Sequence, residues 1–263
     1  LGNLKGGKAM WINNLINFKK VYIENISTLI IYPKNFTEKL PVIFFYHGWS
    51  SNKDVHKNLG SFLACNGYMV VIPDSINHGE RGTIDYWQGE SGLTKFWPTV
   101  LSSVKEFSFI LDYIKSNYNI DEHRIGVSGH SMGGMITSGI IAHNKCIKAG
   151  VIMNSSGAWV EATLEIIGDQ YKDNKDYIDK SLNELSLYSP INNINNFNNT
   201  PLLLLHGDKD ALVPIKSEIA FFNAIKDHYQ NKDLVDMKTY DRLNHYITEA
   251  IVSEALQWFD TYL

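Results

Sequence analysis

Apolar and β-branched residues gather in short runs along the chain: KKVYIE at 19–24, STLIIY at 27–32, PVIFFYH at 41–47, YMVVIP at 68–73, RIGVSG at 124–129, AGVIMN at 149–154, PLLLLHG at 201–207 and LVDMKTY at 234–240. Their length and composition predict about eight β-strands. The later runs are continuously apolar instead of alternating, as in strands covered by helices on both faces of a parallel sheet. The first two are more mixed, which suits an antiparallel edge. Between the runs, helical patterns are predicted at 54–66, 98–117, 131–143, 215–229 and 246–262. In 98–117 the residues Val100, Val104, Phe107, Ile110, Leu111 and Ile114 recur every three to four positions, so one face of that helix is apolar.

Strands alternating with helices predict an α/β fold, with a mostly parallel eight-stranded sheet flanked by helices. Residues 155–200 break the alternation, being polar, rich in Asn and only patchily apolar. A structureless loop of that length is unusual, so the segment reads as a small, largely helical cap inserted over one end of the sheet. No internal repeat and no Gly/Ser or Pro-rich linker divides the chain, and 10–263 is taken as a single domain. Residues 1–9, ahead of Met10 and Trp11, are left out of that reading.

Composition narrows the function classes. The 263 residues are 44% hydrophobic and 20% charged, with a net charge of -4. That is ample material for a core, but no basic field for nucleic acid and no polybasic stretch for anionic lipid. No run approaches the roughly 18 apolar residues of a membrane helix, and the opening lacks the apolar region of a signal peptide, so no membrane partner and a cytoplasmic location are expected. Cys65 and Cys146 are far apart and without metal-ligand spacing; they read as buried free thiols, and neither disulfide nor metal site is expected.

The strongest chemical signal is Gly129-His130-Ser131-Met132-Gly133, a GxSxG pentapeptide that closes the RIGVSG strand and opens the helical MGGMITSGIIAH. A serine in such a strand-turn-helix elbow needs small neighbours, which Gly129, Gly133 and Gly134 supply. The helix that follows favours negative charge at its start. A serine hydroxyl needs a base, and the base an orienting carboxylate. Both are found downstream, in the order Ser…Asp…His. The acid is Asp208 or Asp210 in HGDKDALVP; Asp210 is preferred, since the residue just past a strand end tends to be spent on the turn. His245 is preferred as base over His206, which ends a strand ahead of the acid, and over His228, which falls in a helical pattern.

Acyl transfer also needs donors for an oxyanion. One is the N–H of Met132, after the nucleophile, and the other is assigned to the N–H of Trp49, where the third strand breaks at Gly48. His47 reads as a satisfied packing histidine. The polar segment PDSINHGERG after the fourth strand lies at the same end of the sheet, where His78 or Arg81 is a candidate to shape the pocket; its competing reading is a solvated loop with ion pairs. The aromatics Tyr86, Trp87, Phe96, Trp97 and Trp159 fall beside the expected mouth, Trp97 and Trp159 being the candidates for an apolar acyl pocket.

With these residues in place, the chain resembles the α/β-hydrolase superfamily over nearly all of 19–263. The set YHGWSSNKD, PDSINHGERG, GHSMGG, LLHGDKDALVP and LNH looks like the small bacterial carboxylesterases related to dienelactone hydrolase and prolyl-oligopeptidase-like enzymes. The resemblance implies an α/β-hydrolase fold and an ester hydrolase without metal or cofactor. It carries over Ser131, Asp210 and His245 as triad, and Trp49 and Met132 as oxyanion hole. The implied reaction is hydrolysis of small, short-chain acyl esters through an acyl-enzyme. Three departures limit it. Dienelactone hydrolases have cysteine where Ser131 stands, the peptidase relatives carry a propeller for which this chain has no room, and dehalogenases and epoxide hydrolases have aspartate at the elbow. A thioesterase or amidase using the same triad is the first alternative. A binding protein that keeps the fold without turnover is the second.

Overall fold

The computed structural model describes residues 15–86, 89–168 and 175–263, with side chains described outside 89–93 and 175–177. Eight strands, β1 (Ile16–Ile23), β2 (Ile26–Pro33), β3 (Leu40–Tyr46), β4 (Met69–Pro73), β5 (Ile120–His130), β6 (Ala149–Met153), β7 (Leu202–Gly207) and β8 (Val235–Tyr240), form one sheet in the order β1-β2-β4-β3-β5-β6-β7-β8. From β4 to β8 every pairing is parallel, whereas β1–β2 and β2–β4 are antiparallel. The mixed first two runs are thus the antiparallel edge that their pattern predicted.

The continuous apolar runs are explained by two cores. Alternate residues of one strand go to opposite faces: Val42 and Phe44 of β3 join one cluster, Ile43 and Phe45 the other. The same split divides Leu202 and Leu204 from Leu203 and Leu205 in β7. The larger cluster is closed by α2 (Gly89–Asn117), α3 (Met132–His143) and α6 (Ile215–His228), the smaller by α1 (Lys57–Cys65) and α7 (Glu249–Tyr262). Helix α3 is central, with Met132 to Ala142 all buried.

Two departures from the sequence reading have simple causes. The regular apolar spacing that predicted a helix over 98–117 begins at Val100; α2 instead begins at Gly89 and carries Pro98 inside. Cys65 and Cys146 were expected to be buried, but each stands at the end of a helix or loop where the chain turns back, and both are exposed. Trp87 lies outside the described residues, as do residues 1–9.

Between β6 and β7 the chain makes an excursion through α4 (Trp159–Ile167), α5 (Lys175–Ser186) and a 3-10 segment (Pro190–Phe197), so its described part is largely helical. Its apolar positions Ile167, Ile178, Leu182 and Leu185 are continuous with the larger core. No helix among the described residues is long and apolar enough to cross a membrane.

The strand order reverses beside β3, since β4 pairs on one side of it and β5 on the other. A crevice opens at the carboxyl ends of strands at such a switch point. The segments after β3 and β5, which carry Gly48–Trp49 and Ser131, meet there.

Candidate active site

Ser131 joins β5 to α3 with φ 58° and ψ −122°, a left-handed backbone that L-residues avoid at a cost of about 1–3 kcal/mol. The elbow is held on every side. The Ser131 N–H donates to Met153 O at 2.9 Å, its carbonyl accepts from the Gly134 and Met135 amides, and Ser155 Oγ donates to the same carbonyl at 2.7 Å. Glycine is required by close approach here: a Cβ on Gly133 would lie 1.9 Å from Tyr46 O, and one on Gly129 would lie 2.2 Å from Gly133 O. Met132 is the first residue of α3, so its N–H has no intrahelical acceptor and is directed at the start of the helix, where negative charge is favoured.

The loop after β3 passes against Ser131, with an added Cβ on Gly48 only 3.3 Å from Ser131 Cβ. Two buried histidines fix its course. The Nε2 of His47 accepts from the Ser75 N–H at 3.1 Å, which leaves the proton on Nδ1 to be donated to Gly48 O at 2.9 Å. Burial brings His47 down to about 3, so the ring stays neutral. In the same way His78 Nδ1 donates to Ile76 O at 2.8 Å while its Nε2 accepts from the Ser50 N–H at 3.3 Å, and burial lowers its basicity. The Trp49 indole N–H donates to Tyr86 O at 3.1 Å, and its ring packs on His78, Tyr86 and Phe96.

The acid and base candidates meet across 35 residues of sequence, with His245 Nδ1 2.6 Å from Asp210 Oδ2. The other carboxylate oxygen of Asp210 accepts from the Leu212 and Val213 amides at 2.9 and 2.8 Å. Burial opposes the charge of Asp210, but the close approach of His206 and the hydrogen bonds from His245 and the Val213 amide outweigh it and hold the carboxyl well below its ordinary range. His206 Nε2 donates to Val213 O at 2.9 Å and lies 3.4 Å from Asp210 Oδ2, so it serves the acid loop. Among the described residues Asp208 pairs only with Lys209, at 3.3 Å. The segment bearing His245 is held to the acid loop by Asn244, whose Oδ1 accepts from the Ala211 and His245 amides.

Ser131 and His245 both face one cavity of about 1570 Å³, also lined by Trp49, Phe96, Trp97 and Leu101, by Ile167, Leu182 and Leu185 of the β6–β7 excursion, and by Val55, Leu59 and Ile247 on the other side. Its wall is mostly apolar, and no Lys or Arg is among its described lining residues. Three pocket candidates lie elsewhere. His78 stands behind Trp49 and supports it. Arg81 is turned away into a bidentate pair with Glu106 at 2.7 and 2.8 Å and a bond to Asp74 O, so the segment after β4 is an ion-paired brace. Trp159 is fully buried behind Trp97, ring centroids 5.1 Å apart, with its N–H on Ser138 Oγ. Only Trp97 of the four is on the wall.

Three residues of the site went unread in the sequence. His130 stacks on His245 with centroids 4.6 Å apart; burial, with the nearby His245 and His56, lowers it to about 3. Asn154 and Asn244 are the others, and the available signal was a polar residue directly after a strand run or directly before the base. Among the described residues no three His, Cys, Asp or Glu side chains are gathered as a metal site.

A mostly parallel eight-stranded sheet with a serine at a strained strand-helix elbow, and an Asp–His pair delivered from the following strand ends, defines an α/β-hydrolase. Residues 57–263 match the prolyl oligopeptidase family, and the chain belongs to that family of hydrolases. It is similar to the esterase-named YitV of Bacillus subtilis (strain 168), 29% identical over 89% of this chain and 94% of that one. It is also similar to the Esterase YjfP of Escherichia coli (strain K12), 26% identical over 95% of this chain and 100% of that one. In solved structures, TT1662 from Thermus thermophilus shares the fold with a TM-score of 0.79 at 16% identity, over 94% of this chain and 97% of that one.

Proposed function

We propose that the protein is a serine carboxylesterase that works through an acyl-enzyme on Ser131. The observation that carries this reading is the 2.6 Å bond between Asp210 and His245, on a histidine that shares a cavity wall with the elbow serine. The two esterase-named relatives, each matched over most of its length, support an ester bond as the target.

The chemistry follows from the donors and acceptors. With Nδ1 donating to the Asp210 carboxylate, His245 presents the lone pair of Nε2 as the base. It takes the Ser131 proton as Oγ bonds to the ester carbonyl carbon. The carbonyl oxygen becomes an oxyanion, held by the Trp49 and Met132 amides. As the tetrahedral centre collapses, the carbon–oxygen bond to the alcohol breaks and His245 returns the proton to the departing oxygen. Water then gives a proton to His245 as it attacks the acyl-enzyme, the bond from the acyl carbon to Oγ breaks, and His245 returns the proton to Oγ, releasing the acid and restoring Ser131. Asp210, kept ionised, holds the productive tautomer and stabilises the imidazolium.

The apolar wall suits a neutral acyl group. A cavity of about 1570 Å³ exceeds the roughly 300–1,000 Å³ of most small-molecule sites, so acyl chains well beyond acetate find room between α2 and the excursion helices. We assign those helices the cap role expected from sequence. The test is a panel of p-nitrophenyl esters of rising acyl length, with thioesters and anilides beside it, run on the wild type and Ser131→Ala. A fluorophosphonate should label the wild type at Ser131, and the variant should lose nearly all ester turnover. Full turnover by folded Ser131→Ala overturns the mechanism; a preference for anilide or thioester overturns the bond assignment.

A further inference from the structure

One buried side chain outside the reacting groups touches all three segments that carry them. Asn154 follows β6 with φ 45°, a left-handed conformation that asparagine tolerates better than most residues, and it is fully buried. Its backbone N–H donates to Leu205 O at 2.8 Å, which seats it beside the end of β7. Its Oδ1 accepts from the Gly207 N–H at 3.0 Å. Its Nδ2 donates to Tyr246 O at 3.0 Å and lies 3.3 Å from His130 Nε2.

These contacts fix the amide's orientation without appeal to hydrogen positions. Gly207 offers only a donor and Tyr246 only an acceptor, so the oxygen must face the first and the nitrogen the second. The second Nδ2 hydrogen then meets His130 Nε2 at 3.3 Å, which accepts it with the ring proton on Nδ1. All three polar positions of the side chain are used. Gly207 lies three residues before Asp210, Tyr246 directly after His245, and His130 directly before Ser131.

We propose that Asn154 is a positioning residue for the triad, acting through His130 and Tyr246 to hold His245 in line with Ser131 and Asp210. This rests on the serine-hydrolase reading above. The His245 ring lies between two restraints, the Asp210 carboxylate on Nδ1 and the His130 ring, tilted at 44° with centroids 4.6 Å apart. The first limits only one atom of the ring, and rotation about that bond would swing Nε2 away from the nucleophile. Fastening Tyr246 O and the His130 ring to one amide closes that freedom. Asn154 is not on the cavity wall, so its loss should leave the surface that binds substrate in place.

Two variants test this. Asn154→Leu keeps the branching and the number of side-chain heavy atoms and removes all three links; Asn154→Asp keeps the acceptor for Gly207 and loses at least one of the two donors. Loss of alignment by about 1 Å costs on the order of 10²-fold. For the leucine variant kcat on a p-nitrophenyl ester should therefore fall about 100-fold, and for the aspartate variant about tenfold, with KM in both within about threefold of wild type. Fluorophosphonate labelling of Ser131 should slow in parallel, measured well below the melting temperature of each variant. If the leucine variant does not fold, the near-isosteric aspartate variant carries the test. A folded Asn154→Asp with wild-type kcat and labelling rate overturns the proposal, as does a loss confined to KM. Wild type that is not labelled at Ser131 overturns the hydrolase mechanism instead, so the two failures are distinguishable.

Discussion

Asp210→Asn changes one atom of the side chain, and the structure dictates where that atom goes. Oδ1 of Asp210 accepts from two backbone donors, Leu212 and Val213, at 2.9 and 2.8 Å. An amide nitrogen there would set donor against donor, so the asparagine must keep its oxygen on those two amides and turn its NH₂ to the Oδ2 position. That NH₂ would then face His245 Nδ1, now 2.6 Å from Oδ2, and also His206 Nε2, whose proton is committed to Val213 O. His245 could accept only by giving up the proton on Nδ1, which moves it to Nε2, the nitrogen that must take the proton of Ser131. The fold survives while the base is lost. The same loss of tautomer costs about 10⁴ in kcat in a serine protease, equivalent to about 5 kcal/mol of barrier. The assay is steady-state hydrolysis of a p-nitrophenyl ester near pH 7.5, with circular dichroism to show that the variant is folded. Asp208→Asn is the control, because among the described residues Asp208 pairs only with the largely exposed Lys209; it should cost less than about tenfold. A folded Asp210→Asn that keeps more than a tenth of wild-type kcat refutes the tautomer argument, and a larger loss in Asp208→Asn reassigns the acid.

Three further outcomes are expected. Gly133→Ala drives a Cβ to within 1.9 Å of Tyr46 O and 2.5 Å of Tyr46 C, backbone atoms in a central strand, so the variant should lose more than about 4 kcal/mol and fail to accumulate as soluble protein; a normal melting curve would contradict this. Lys53→Met leaves the fully buried Asp74 carboxylate without the ammonium now 2.7 Å away, and urea denaturation should register a loss of about 3–5 kcal/mol, partly recovered in Lys53→Met/Asp74→Leu; a midpoint unchanged in the single variant would refute it. Hydrogen bonds from Lys20, Ser27 and Tyr22 lower Glu80 to about 2 from an ordinary 4.5, so its stabilisation is complete above about pH 4.5 and is lost as pH falls through 2. Glu80→Gln should accordingly be less stable than wild type at pH 7, with the difference in urea midpoint closing as the pH falls through 4.5 towards 2; a gap that persists at pH 2 would show that charge is not its source.

The fold was legible because covering both faces of a parallel sheet leaves a direct mark on the chain. A strand buried on both sides must be apolar at every position, and the runs at 41–47, 149–154 and 201–207 end within a residue or two of β3, β6 and β7. Where the cause of structure is not local, the reading shortened. Residues Ile120 to His123 belong to β5 only because Leu40 pairs with Ile120 across an irregular register, and nothing in IDEH by itself asks for a strand. Helix α2 likewise starts at Gly89, ahead of the 98–117 over which the apolar spacing is regular, and Phe96 and Trp97 of that earlier stretch pack against the larger core.

At the site the same distinction separates the residues proposed to bear the chemistry from those proposed to place them. Ser131, Asp210 and His245 each sit just past a strand, and their order is a linear pattern that one chain displays. His78, Arg81 and Trp97 also sit at the right end of the sheet, but whether such a side chain faces the cavity or braces a neighbour depends on what stands opposite. Glu106 takes the guanidinium of Arg81 from 25 residues away, and Ser50 takes the imidazole of His78 from 28. Asn154 is the extreme case, since its partner Tyr246 is 92 residues distant and the only local trace is one polar residue after an apolar run. A buried amide with all its bonds made at such separations cannot form until β5, β6, β7 and the segment after β8 are assembled. It therefore stabilises the finished site and no part of it alone, which is why a substitution there should be felt in kcat before it is felt in any single element of the fold.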